Sequence, residues 1–83
     1  MPYYFYVLQS SKDGSLYKGS AENIEIRLAQ HNSGKTKSLK HRIPFKMAYF
    51  EEFSTREEAL AWEKWSKSLQ GGKVLRELLR GKI

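Results

Sequence analysis

The chain has 83 residues, so it forms one domain that can bury only roughly 60 to 65% of its unfolded surface. Five Tyr, four Phe and two Trp are available for a small aromatic core, and the absence of Cys excludes disulfide staples and thiolate metal clusters. A formal net charge of +6 favours anionic partners, and the apolar runs are too short for a membrane span, so a soluble protein of a reducing compartment, by default the cytoplasm, is expected.

Tyr3-Tyr4-Phe5-Tyr6-Val7-Leu8 is apolar on both faces of an extended chain, which marks a central strand. Lys12-Asp13-Gly14 signals a tight turn, Gly supplying a positive φ, and Leu16-Tyr17-Lys18-Gly19 returns as a second strand. Pairing Ser10 with Ser15 sets Tyr6 opposite Gly19 and Tyr17 opposite Leu8, so that Tyr6 and Tyr17 become diagonal neighbours on one face. Gly19 ends a strand that faces a helix start, which suggests close approach of a ligand to the backbone.

Asn23 is placed to cap a helix that runs to about Asn32 and stops at Gly34, with Ile24 and Leu28 inward. Arg27 and His31 lie about 40° apart on its wheel, at the edge of the buried face. Residues 35–43 read as a polar, basic loop closed by Pro44, and Phe45 to Phe53 as a third strand. Ser54-Thr55-Arg56-Glu57 fits a capping box, opening a long helix from near Thr55 to near Gly71-Gly72. On that helix Ala59, Ala61, Trp62, Trp65 and Leu69 span an apolar arc of about 160°, with Glu63 at its margin. A short helix from Lys73 to Arg80 ends the chain. The sum is an α+β fold, a small three-stranded antiparallel sheet flanked by helices in the order ββαβαα.

The charge is not evenly spread. Between Arg27 and Phe50 lie six basic residues (Arg27, Lys35, Lys37, Lys40, Arg42, Lys46), two His and no acid, which leaves 9 against 9 elsewhere. A localised positive segment beside a helix end attracts a polyanion, so Lys35, Lys37, Lys40, Arg42 and Lys46 are candidate nucleic-acid contacts; a solvated lysine loop is the alternative. Glu63 has its own structural alternative, an i,i+4 pair with Lys67. No phosphate-binding glycine loop, zinc-finger spacing or G-x-S-x-G is present.

Tyr4-Phe5-Tyr6, then Tyr17-Lys18-Gly19, Ile24-Glu25-Ile26-Arg27-Leu28, His31-Asn32-Ser33-Gly34 and Ala59-Leu60-Ala61-Trp62-Glu63 together resemble the GIY-YIG nuclease superfamily, and within it the small standalone bacterial proteins. Tyr4 stands where the first motif has glycine, and Lys18 replaces the middle residue of the second. The resemblance implies neighbouring strands for the two tyrosine motifs and catalytic roles for Tyr6, Tyr17, Arg27 and His31. It implies that Glu63 holds a single Mg²⁺ or Mn²⁺, a cation that prefers oxygen ligands and keeps several waters. Tyr17, assisted by Tyr6 or His31, would orient or deprotonate the attacking water, and Arg27 would brace the phosphate. The activity so implied is metal-dependent hydrolysis of DNA or RNA phosphodiesters, and since no sequence-reading device is evident, it goes with low selectivity, structure-specific cleavage or delivery by a protein partner. A non-catalytic nucleic-acid-binding module on the same fold, and an adaptor meeting an acidic protein, are the competing readings.

Overall fold

The structure is a computed structural model describing residues 2–80. It is an α+β fold with the elements β1 (Tyr3–Ser10), β2 (Leu16–Ala21), α1 (Ile24–Asn32), β3 (Phe45–Phe53), α2 (Arg56–Ser66) and α3 (Leu69–Leu79). The three strands form one antiparallel sheet in the order β2-β1-β3.

β1 is central because it is apolar on both sides. Tyr6 and Leu8 face α1 in a cluster with Ala21, Leu39 and Phe45, while Phe5 and Val7 face Leu75 and Leu79 of α3. A two-sided strand needs a cover on each face, and the helices divide accordingly. The hairpin has the expected register: Tyr6 pairs with Gly19, Leu8 with Tyr17, and the Ser10 amide donates to the Ser15 carbonyl at 2.8 Å. Gly14 takes φ +75° in the turn, a conformation other residues adopt only at a cost.

Asn23 caps α1 as expected, its side chain accepting from the Ile26 amide at 3.0 Å, and Gly34 follows the helix at φ +82°. The far end of α1 is fastened to β3. The Asn32 amide nitrogen donates to the Phe45 carbonyl at 3.0 Å, and the Phe45 amide donates to Asn32 Oδ1 at 2.6 Å.

Three expectations are corrected. The basic segment is not a plain loop: Lys37–Arg42 forms a 3₁₀ helix whose Leu39 is only 3% exposed and plugs the core cluster beside Tyr6. Leu39, with Ile43 beside it and the Arg42 carbonyl accepting from Ser10 Oγ at 2.6 Å, holds the segment onto the sheet.

The long second helix is two helices, broken at Lys67-Ser68 rather than at the glycines. Its capping box belongs to Thr55 and Glu58, one residue later than Ser54 and Glu57, with Thr55 Oγ1 accepting from the Glu58 amide and Glu58 Oε1 from the Thr55 amide, each at 3.2 Å. Ser68 starts the next helix by accepting from the Gly71 amide at 3.1 Å. Gly71 lies inside α3 because a Cβ there would stand 1.8 Å from the Trp65 carbonyl oxygen, so it permits the close contact of two helix ends instead of stopping a helix.

The apolar arc is also redrawn. Ala59 and Ser66 are buried and Trp62 half-buried against Phe5 and Phe53, whereas Ala61, Trp65 and Leu69 are exposed. The break after Ser66 places Leu69 on a separate helix, off the face that Ala59 and Trp62 share.

Candidate active site

β1 and β2 bring Tyr6 and Tyr17 together on the face covered by α1, their ring centroids 6.5 Å apart. Gly19, directly opposite Tyr6, makes room for that ring: a Cβ at Gly19 would lie 2.6 Å from the Tyr6 hydroxyl oxygen and 2.7 Å from its Cζ. The close approach expected at this glycine is therefore made by the Tyr6 phenol.

α1 supplies the next two groups. Its last turn buries His31, whose Nε2 is 3.2 Å from the Tyr6 hydroxyl and whose ring meets Tyr17 edge-on at 5.2 Å. Its Nδ1 is 3.1 Å from the Thr36 hydroxyl. Half-buried Arg27, one turn earlier, lies close enough for its charge to act on the Tyr6 phenol. His31 is thus held between the Tyr6 hydroxyl on one ring nitrogen and the Thr36 hydroxyl on the other, and Thr36 fixes the ring's orientation, a role no motif in the sequence announces.

The environment fixes the protonation states of two of these groups. Burial, with a smaller contribution from Tyr17, pushes the Tyr6 phenol up to about 12, and the Glu63 carboxylate acts in the same direction, while Arg27 opposes them. Burial, and then the Arg27 charge, lower the His31 pKa below its ordinary value. Tyr6 therefore keeps its proton near neutrality and His31 is neutral. The Tyr17 hydroxyl makes no hydrogen bond among the described residues.

Glu63 reaches the site from the other layer. α2 packs on the Phe5 side of the sheet, and the Glu63 carboxylate comes to the edge strand, where Oε1 accepts from Ser20 at 2.7 Å and Oε2 pairs with Lys67 at 2.8 Å. The alternative pairing with Lys67 is thus realised, yet the carboxylate stays close enough to act electrostatically on Tyr6. Its side chain is 20% exposed. Ser20 is a second residue that sequence reasoning missed, and its position directly after Gly19 was the available signal.

The basic residues differ among themselves. Lys35, Lys37, Lys40 and Lys46 are exposed. Arg42 is turned inward, donating from Nε to Ser15 Oγ at 2.8 Å and from a terminal nitrogen to the Leu16 carbonyl at 2.9 Å, with its guanidinium 5.4 Å from the centre of the Phe45 ring. It ties the basic segment to the hairpin.

This order of tyrosine hairpin, arginine and histidine helix and acid-bearing helix matches the protein-family model of the GIY-YIG catalytic domain over residues 2–73. The chain belongs to the GIY-YIG family. It is 52% identical over 68 residues to a UPF0213 protein of Bacillus licheniformis, covering 81% of this chain and 69% of the relative. A UPF0213 protein of Staphylococcus saprophyticus is 40% identical over 80 residues, 95% of this chain and 96% of that one. Among solved structures, the solution NMR structure of a UPF0213 protein from Bacillus halodurans is similar, with a TM-score of 0.56 and 36% identity over 94% of this chain and 85% of that one. Its relatives are thus small bacterial proteins, as the resemblance implies. Among the described residues, no helix of this GIY-YIG chain is long and apolar enough to cross a membrane.

Proposed function

We propose that the protein is a metal-dependent nuclease that hydrolyses phosphodiester bonds of DNA or RNA at the centre formed by Tyr6, Tyr17, Arg27, His31 and Glu63. The observation that carries this reading is Arg27. A half-buried guanidinium with no carboxylate partner among the described residues, beside a phenol that remains protonated, is arranged to receive an anion. Arg27 braces the phosphate and meets the charge that develops on its oxygens. Tyr6 keeps its proton and, through His31 and Thr36, holds the polar wall of the site in one geometry. Tyr17, the hydroxyl without a partner, orients or deprotonates the attacking water.

Glu63 suits a hard divalent cation, since Mg²⁺ is commonly held by one or two carboxylates, with waters and substrate phosphate filling the other positions. When bound, Mg²⁺ or Mn²⁺ supplies Lewis-acid charge to the phosphoryl oxygens. Lys35, Lys37, Lys40 and Lys46 track the backbone, and Arg42 supports them from within. The test is cleavage of labelled single-stranded, duplex and branched DNA and RNA by wild type and Glu63→Gln, with and without Mg²⁺ or Mn²⁺. Metal-dependent cleavage by wild type and its loss by orders of magnitude in Glu63→Gln, with binding retained, is the expected result. Binding without cleavage by wild type on every substrate and metal would leave a non-catalytic binding module instead.

A further inference from the structure

Lys18 stands where the family's second motif has another residue, and the catalytic reading gives it no task. Strand alternation turns its side chain away from Tyr17 and Gly19, toward the layer of α2 and α3. There Leu16, Lys18 and Ser20 share one face of the exposed edge strand, and Lys18 lies about 7 Å along the strand from Ser20, the residue that holds Glu63.

Lys18 opens into a cavity of about 370 Å³ bounded by Ser15, Leu16, Gly72, Leu75 and Arg76. No carboxylate lines it. Nearby acids are engaged elsewhere: Asp13 accepts from Ser15, and Glu77 pairs with Arg80 at 3.5 Å. Arg76 is exposed and has no carboxylate partner among the described residues. The Lys18 ammonium donates one hydrogen bond, to the Ser66 carbonyl at the end of α2, at 2.9 Å, leaving two of its three protons unused. Arg42 adds further positive charge at the rim through its bonds to Ser15 and Leu16. Burial, followed by the Arg76 and Lys67 charges, pulls the Lys18 pKa down, in keeping with a half-buried ammonium that has no carboxylate in its cavity.

Resting on the nucleic-acid reading above, we propose that Lys18 and Arg76 form a second phosphate-binding site, separate from the tyrosine centre, which takes a backbone phosphate of the same bound strand as it crosses the β2 edge. A strand lying past Ser20 and Glu63 meets Lys18 next and Arg76 beyond it. The register of phosphates is then held on both sides of the edge strand, one by Arg27 and one by this pair.

The test compares wild type, Arg76→Gln, Lys18→Gln and Arg56→Gln for binding of a labelled single-stranded oligonucleotide across a salt series. Arg56→Gln removes an equal charge at the opposite end of α2, and exposed Arg76 can be changed without touching the core, so the result does not depend on whether Lys18→Gln loosens the end of α2. Arg76→Gln is expected to weaken binding by about tenfold and to lower the slope of log K against log salt by about one, with Arg56→Gln close to wild type. The amide resonances of Leu16 and Gly72 should shift on adding the oligonucleotide. Arg76→Gln binding as tightly as Arg56→Gln overturns the proposal. So does a shift of those amides with inorganic phosphate but not with the oligonucleotide, which would make the cavity a small-anion site. If wild type binds no nucleic acid, the functional reading itself fails; if neutralising Lys35, Lys37 and Lys40 weakens binding while Arg76→Gln does not, only this second site fails.

Discussion

Gly19 and Tyr6 occupy a space that only one side chain can fill, since a Cβ at Gly19 would lie 2.6 Å from the Tyr6 hydroxyl oxygen. Gly19→Ala must therefore displace the phenol, break its contact with His31 and strain the hairpin. A loss of about 1 to 3 kcal/mol in stability is expected, read as a lower midpoint in denaturant, together with loss of cleavage. A variant with wild-type stability and activity would show that the Tyr6 position is not enforced by Gly19.

Lys67 competes with any cation for the Glu63 carboxylate. The ion pair is 2.8 Å long but its lysine side chain is 53% exposed, so it is worth roughly 0 to 1 kcal/mol. Lys67→Gln is expected to lower the Mg²⁺ concentration for half-maximal cleavage a few-fold while leaving the fold intact. An unchanged or higher metal requirement would mean that Glu63 does not have to leave Lys67 to bind the ion.

His31 is buried neutral beside Arg27, so its folded-state pKa lies below the unfolded value of about 6.5. Between those two values the unfolded chain holds more protons than the folded one, and stability falls as the pH drops through that window. His31→Gln should shrink the fall in Tm between pH 7 and pH 5. An equally steep fall in the variant would assign acid sensitivity to the carboxylates alone.

Lys35, Lys37 and Lys40 are exposed on the segment that carries the whole charge excess. Replacing all three by Gln should weaken binding alike for unrelated sequences and reduce the salt slope by about two to three. Unchanged affinity at low salt would return these lysines to a solubilising role.

Local signals in the sequence were enough for the hairpin and for α1. A strand apolar on both faces has to be central, Gly14 dictates the turn, and the alternation then determines that Tyr6 meets Gly19. Asn23 caps its helix through contacts a few residues apart, which spacing alone reveals. The break between α2 and α3 was hidden because the glycines that look like a stop serve a contact with Trp65 that exists only after the two helices fold back on each other. Leu39 was hidden for a similar reason, its neighbours being charged while its cavity is formed by distant strands. At the site, the register that sets Tyr6 beside Tyr17 was legible, whereas Thr36 and Ser20 contact His31 and Glu63 from distant parts of the chain, and their value depends on three-dimensional neighbours.

The two-layer origin of the centre has a consequence for the protein's synthesis. Tyr6, Tyr17, Arg27 and His31 all lie in the first half of the chain, whereas the lone carboxylate arrives on α2, and the Leu75 and Leu79 side chains that cover Phe5 and Val7 come later still. A chain emerging from the ribosome that has completed only its hairpin and α1 lacks both the acid and the cover for Phe5 and Val7, so the five residues come together only once α2 and α3 have docked on the sheet.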